Sequence, residues 1–124
     1  MSDDYAIDAQ GYFDRYESIV PERIYELCRV FFKKGKATVD IGSGSGRDVG
    51  WLNEQGFPAV GIDWSKKMIK LATIKRPNCR FHIDSLPNLK TLKNSQYDNL
   101  LCSGVFMWSA GGWLDTFGQR IRIG

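Results

Sequence analysis

Two hydrophobic periods alternate along this chain, and the places where one gives way to the other mark its elements. Residues 37–41 are apolar or β-branched apart from Asp40 and predict a buried strand. The strand runs into Gly42, Gly44 and Gly46, glycines at alternate positions, where the backbone must turn sharply. Residues 47–55 then carry Val49, Trp51 and Leu52 at helical spacing and stop at Gly56. After the Phe57-Pro58 break, residues 59–62 predict a second strand that delivers Asp63 at its carboxyl end. Ser65 is a good N-cap for a helix over 66–75, with Met68, Leu71 and Ala72 as its apolar stripe. Residues 80–83 predict a short third strand, the polar stretch 88–96 a short helix or loop, and residues 97–103 a fourth strand.

Upstream, residues 21–34 read as the clearest helix. Pro21 and Glu22 suit its first turn, Lys33 and Lys34 its last, and Gly35 stops it. Ile24, Leu27, Val30 and Phe31 are expected to face the core. Tyr12, Phe13 and Tyr16 fit one face of a short amphipathic helix near the N-terminus. Residues 109–124 show neither period.

Composition narrows the class. A chain of 124 residues with 43% hydrophobic and 25% charged residues is expected to form one ordinary globular domain. No apolar run approaches the ~20 residues needed to span a membrane, and the acidic start at Asp3 and Asp4 does not resemble a signal peptide. The three cysteines, Cys28, Cys79 and Cys102, form no CxxC pair, so neither a disulfide framework nor a metal site is expected. They suit a reducing cytoplasm. A net charge of +3, dispersed along the chain, does not call for a nucleic-acid partner.

The glycine turn carries the chemistry. A strand, a glycine turn and a helix N-terminus together form a ligand site, because the backbone can be approached closely and helix N–H groups lack internal partners. A dinucleotide fingerprint G-x-G-x-x-G would need glycine at 47 or 49, which hold Arg47 and Val49. No G-K-[ST] follows, so a phosphate-cradling loop is excluded as well. Asp40, two residues before the first glycine, would repel a pyrophosphate and attract a ligand cation. An unremarkable glycine turn, with Asp63 serving only as a helix cap, is the alternative.

The stretch Asp40-Ile41-Gly42-Ser43-Gly44-Ser45-Gly46-Arg47 resembles the first motif of class I S-adenosylmethionine-dependent methyltransferases, and Gly61-Ile62-Asp63 resembles their second. The resemblance implies a Rossmann-like α/β fold that binds S-adenosylmethionine and releases S-adenosylhomocysteine. It assigns Asp40 to the methionine end of the cofactor, Gly42, Ser43, Gly44 and Gly46 to its close approach, and Asp63 to the ribose. Trp64 would lie against the adenine ring, Asp84 would accept from the adenine amino group, and Ser85 and Leu86 would offer backbone contacts. Cys102 would border the same site from strand four. Phe13-Asp14-Arg15-Tyr16 is similar to N-terminal segments that cover the cofactor, which makes residues 1–20 a lid and Tyr16 a site residue. No catalytic residue stands out; Tyr12, Tyr16, His82 and Trp108 are candidates at the mouth.

Strand four lacks the proline motif of amino-methylating DNA enzymes, and no Pro-Cys dipeptide of cytosine-C5 enzymes occurs, so a small-molecule acceptor is expected. The resemblance covers residues 10–108. The family's sheet has seven strands, whereas only four, in the order 3-2-1-4, are expected here, with 105–108 leading into a helix and 109–124 forming an atypical tail. On that reading strand four becomes an apolar edge, which predicts a truncated domain or a homodimer that covers it. A non-catalytic cofactor-binding remnant and, less favoured, an NAD or nucleotide enzyme are the competing functions.

Overall fold

β1 (Thr38–Ile41) is buried along its whole length and sits in the interior of the sheet. In this computed structural model, which describes residues 8–84, 96–102 and 104–122, β1 pairs in parallel with β2 (Ala59–Asp63) on one side and β4 (Asn99–Cys102) on the other. β3 (Arg80–Ile83) extends the parallel half beyond β2. Four helices expected from the sequence are present: α1 (Ala9–Ser18), α2 (Glu22–Phe31), α3 (Arg47–Glu54) and α4 (Lys66–Lys75). The stretch expected as a short helix or loop over 88–96 lies, but for its last residue, outside the described residues. The Ser65 hydroxyl accepts from the Met68 amide and caps α4.

The tail departs from expectation. Residues 105–108 do not begin a helix, and the tail over 109–122 carries regular strands. β5 (Phe106–Ser109), β6 (Gly112–Asp115) and β7 (Arg120–Ile121) form an antiparallel meander, giving a seven-stranded sheet in the order β3-β2-β1-β4-β5-β6-β7. The glycines are its turn residues: Gly104, Gly112 and Gly118 all adopt positive φ. Antiparallel strands need no crossover helix, so three strands fit in a length that could never hold two further βαβ units. β4 is therefore an interior strand, its outer side paired with β5, and the edge that motivated a covering homodimer does not exist.

The main core lies between one face of the sheet and the helices α2 and α3. Cys28, Phe32, Val49, Leu52, Phe57, Leu101 and Met107 are buried there. On α2 the inward face extends beyond the one expected, with Tyr25 and Cys28 the most buried, whereas Val30 is 87% exposed. Ile24, Leu27 and Phe31 pack half-buried at the margin of this core. Val39, Ile41 and Ile62 form a smaller cluster.

One buried polar residue joins the two halves of the sheet. The Asn99 amide group donates to the Lys33 carbonyl (2.9 Å) and the Thr38 hydroxyl (3.0 Å), and its oxygen accepts from the Lys33 amide (2.9 Å) and the Ser109 hydroxyl (3.0 Å). These four bonds tie β4 to β1, β5 and the chain leaving α2. A fully satisfied buried network of this kind fixes register as well as adding stability.

Candidate functional site

The carboxyl ends of β1 and β2 converge on the glycine turn. Its amides are used internally: Gly42 and Ser43 both donate to the Ile62 carbonyl (2.7 and 2.9 Å), Gly44 donates to Asp63 Oδ2 (2.8 Å), and Gly46 donates to the Ser43 carbonyl (3.0 Å). The turn is thus strapped to the end of β2. These four amides are engaged within the fold; they precede α3, at whose N-terminus the sequence reading placed its unpartnered N–H groups. Asp63 is 1% exposed, and its second carboxylate oxygen accepts from the Ser65 amide at 2.9 Å.

The glycines have separate tasks. A Cβ on Gly44 (φ +55°) would face the Tyr16 ring of α1 at 3.6 Å. A Cβ on Gly46 (φ +83°) would lie 2.5 Å from Cζ of Phe81, and one on Gly61 would lie 2.7 Å from Cδ1 of the same ring. Phe81, rising from β3, fills the space beneath both positions. Gly46 is therefore spent on packing under the turn.

A cavity of about 130 Å³ lies above the turn, lined by Tyr16, Gly42, Ser43, Gly44, Ser45, Arg47, Asp48, Trp64 and Gly104. Of the residues expected at the site, Tyr16, Gly42, Ser43, Gly44 and Trp64 share this lining. Asp40 and Asp63 stand behind it, fully buried. Asp84 follows β3 and is held to β2 by its amide, which donates to the Asp63 carbonyl (3.0 Å). Cys102 ends β4 beside Ile41, and Ser85 and Leu86 lie outside the described residues. His82 is exposed on the edge strand β3, and Trp108 pairs with Leu100 and Trp113 in β4 and β6. Neither lines the cavity, and nor does Tyr12.

Buried polar groups at the cavity fit a polar, cationic ligand. Among the described residues, Ser43 Oγ and Trp64 Nε1 are buried without a hydrogen-bond partner. Asp40 is 2% exposed, and its carboxyl is held well above the usual carboxylate range, chiefly by burial and then by the nearby Asp48, with Asp63 adding to the effect and Arg47 opposing it. A cation placed here would reverse that penalty.

Sequence reasoning missed the groups that tie α1 to the turn. Arg47 Nη1 donates to the carbonyls of Tyr16 (2.8 Å) and Ile19 (2.9 Å), which end α1, while its Nε donates to Asp48 Oδ1 (2.9 Å). The Tyr25 hydroxyl also donates to Asp48 Oδ1 (2.7 Å), and its ring stacks on Trp51 at 3.9 Å. Glu17 of α1 accepts from the Ser45 hydroxyl and from Arg76 Nη1, both at 2.8 Å. The one signal available beforehand was Gly50, a glycine in a helix interior with no capping role.

A glycine turn after the first strand of a 3-2-1-4 parallel arrangement, backed by acids from β1 and β2, defines a Rossmann-like nucleoside-ligand fold. Comparison with known proteins makes the class specific. The family described as "Methyltransferase domain" matches residues 38–122, and the chain belongs to it. It is 33% identical over 98 residues to an "uncharacterized methyltransferase" of Alkaliphilus oremlandii (strain OhILAs), an alignment covering 76% of this chain and 41% of that protein. Among solved structures it superposes on a TehB-like SAM-dependent methyltransferase from Corynebacterium glutamicum with a TM-score of 0.64 at 23% identity, over 77% of this chain and 54% of the other. A SAM-dependent methyltransferase from Thiobacillus denitrificans in complex with S-adenosyl-L-homocysteine gives a TM-score of 0.54 at 22% identity, over 70% and 38%. The chain thus spans about two-fifths of the curated relative and about half or less of these two structures.

Proposed function

We propose that this chain binds S-adenosylmethionine above the glycine turn and takes part in transfer of its methyl group to a small-molecule acceptor. The observation that carries the reading is Asp40, a carboxylate buried at the end of β1 in a setting that favours a cationic neighbour. Asp40 would hold the ammonium of the methionine end, Asp63 the ribose, and Trp64 the adenine. When bound, the cofactor supplies an activated methyl on a sulfonium. The protein's share is to hold donor and acceptor in line and to exclude water, and neither demands a dedicated base.

At about 130 Å³ the cavity is well below the ~300 Å³ at which ligand pockets begin. The whole cofactor therefore requires α1 to lift, with Tyr16 leaving Gly44, and to close again. Residues 8–20 act as a lid on this reading, and the first seven residues of the expected lid lie outside the described residues. An adjoining hollow of about 370 Å³, bounded by Pro21, Ile24, Gly104, Thr116 and Phe117, shares Gly104 with the cavity and has the dimensions of a small acceptor. Among the described residues no helix is long and apolar enough to cross a membrane. Free Cys28, Cys79 and Cys102 suit a cytoplasmic protein.

Calorimetric titration with S-adenosylmethionine and S-adenosylhomocysteine tests this, with Asp63→Ala as the control. Saturable binding that the variant loses is the expected result. Equal or tighter binding of NAD would overturn it, and cofactor binding with no transfer to any acceptor would reduce the role to binding alone.

A further inference from the structure

Arg76, the C-cap residue of α4, does not line the cavity, yet it reaches two parts of the site. Its side chain crosses the middle of α3 at Gly50, where a Cβ would come within 2.5 Å of Nε and 3.0 Å of Cδ. Beyond that crossing, Nη1 forms an ion pair with Glu17 of α1 at 2.8 Å and approaches the Ser45 carbonyl of the glycine turn at 3.4 Å. The pair is mostly shielded, with side-chain exposures of 22% and 16%. Glu17 also accepts from the Ser45 hydroxyl, so one carboxylate joins α1, α4 and the turn. Glycine in a helix interior is unfavourable relative to alanine, and Gly50 has φ in the ordinary range. Space for Arg76 is the reason the structure offers for it.

Only Phe13 of α1 is buried, so polar contacts supply much of what seats this helix. We propose that Arg76 is a positioning residue that sets how readily α1 opens over the cofactor turn, and that Gly50 is the notch through which it acts. This rests on the cofactor-binding reading above. Weakening the clasp raises the open population of the free protein and of the complex alike. Association and release then accelerate together while affinity changes little. Loss of a direct ligand contact would speed release alone.

The test uses the whole chain with S-adenosylhomocysteine as the probe, in wild type, Arg76→Gln, Arg76→Lys, Gly50→Ala and the Arg76→Gln/Gly50→Ala double variant. Amide exchange of residues 9–18 is followed without ligand, and association and release are timed by stopped flow. Arg76→Gln and Gly50→Ala should each speed exchange in α1 relative to β1 by about tenfold, the worth of one partly screened charge-assisted bond. Both rate constants should rise by a similar factor with Kd within about threefold. The double variant should behave like either single one, and Arg76→Lys should keep most of the wild-type behaviour. Because alanine suits the helix better, Gly50→Ala should leave Tm unchanged or raised while α1 loosens, an opposition that general destabilisation cannot produce. Wild-type exchange in α1 for both variants, or a rise in release without association, overturns the proposal. If no S-adenosylhomocysteine binds to any form, the cofactor reading fails, and the exchange comparison still decides the role of Arg76.

Discussion

Gly46→Ala is the substitution for which the structure gives the fullest account of cost. Two effects add. The backbone sits at φ +83°, where a residue with a Cβ is strained by about 1–2 kcal/mol. The new methyl would also lie 2.5 Å from Cζ and 2.7 Å from Cε1 of Phe81, with Ala72 Cβ 3.4 Å away. Carbon atoms settle at about 3.5–4.0 Å, so the ring must move by roughly an ångström, an overpacking cost of about 1–3 kcal/mol. The sum is about 2–5 kcal/mol, a large share of the ~5–15 kcal/mol typical of a domain. A loss of about 3 kcal/mol corresponds to a fall in Tm of roughly 10 °C at this size. Urea denaturation of wild type, Gly46→Ala, Phe81→Ala and the double variant separates the two effects. In the Phe81→Ala background the cost of Gly46→Ala should drop to the backbone strain alone, leaving a coupling of about 1–3 kcal/mol. Gly61→Ala, which meets Phe81 Cδ1 at 2.7 Å without the positive φ, should show coupling to Phe81 and a residual cost from Ser43, whose Cβ and Oγ would lie 2.8 Å from the new methyl. Equal costs of Gly46→Ala in both backgrounds would refute the idea that Phe81 is why this position is glycine.

Further expectations follow from the buried polar groups. Asp40→Asn should stabilise the ligand-free chain at neutral pH while removing cofactor binding. The folded carboxyl titrates above its unfolded value, so ionised Asp40 costs stability, and the cost disappears as pH falls below the unfolded value of about 3.9. Denaturant midpoints across pH check the sign, and a destabilised Asp40→Asn at pH 7 would contradict it. A cationic ligand favours the ionised carboxyl, so wild-type affinity for S-adenosylmethionine should fall toward acid as Asp40 protonates. Titrations repeated at descending pH would show this. Asn99→Ala should cost about 2–4 kcal/mol in urea unfolding, since it strands the buried Ser109 hydroxyl and removes the partners of the part-buried Lys33 backbone groups and of Thr38. Tyr16→Ala should speed release of S-adenosylhomocysteine by roughly tenfold, about the value of one half-buried aromatic contact.

The parallel half of the sheet was legible because each element carries its own local signal. Thr38, Val39 and Ile41 are β-branched, Ser65 caps α4, and glycines end the flanking segments. The meander was not, since its turns were read as loss of structure. Gly111-Gly112 between Trp108 and Trp113 is a hairpin signal once strands on either side are allowed to be antiparallel. At the site, the acids and glycines were visible as a spaced motif. Phe81, Arg76 and Glu17 were not, because they reach parts of the site distant in sequence, Glu17 across 28 residues to Ser45 and Arg76 across 59 to Glu17, which a linear pattern does not connect. On α2 the burial of Tyr25 was missed for a related reason, although Ile24, Leu27 and Phe31 pack on the core as expected. Tyr25 is drawn in by Asp48 and Trp51, partners the helical period does not reveal.

The mixed sheet also bears on how the molecule forms. β5, β6 and β7 meet through tight turns and can pair as soon as they are synthesised, on the microsecond scale of hairpins. β1 must wait for β4 across 61 residues, the separation between Thr38 and Asn99. Contacts so distant in sequence are the slow ones. β4 therefore joins its fast neighbour β5 first and presents a ready-made edge to which β1 anneals. The seam between β1 and β4, which joins the β3-β2-β1 part of the sheet to the meander, is then the last pairing to close.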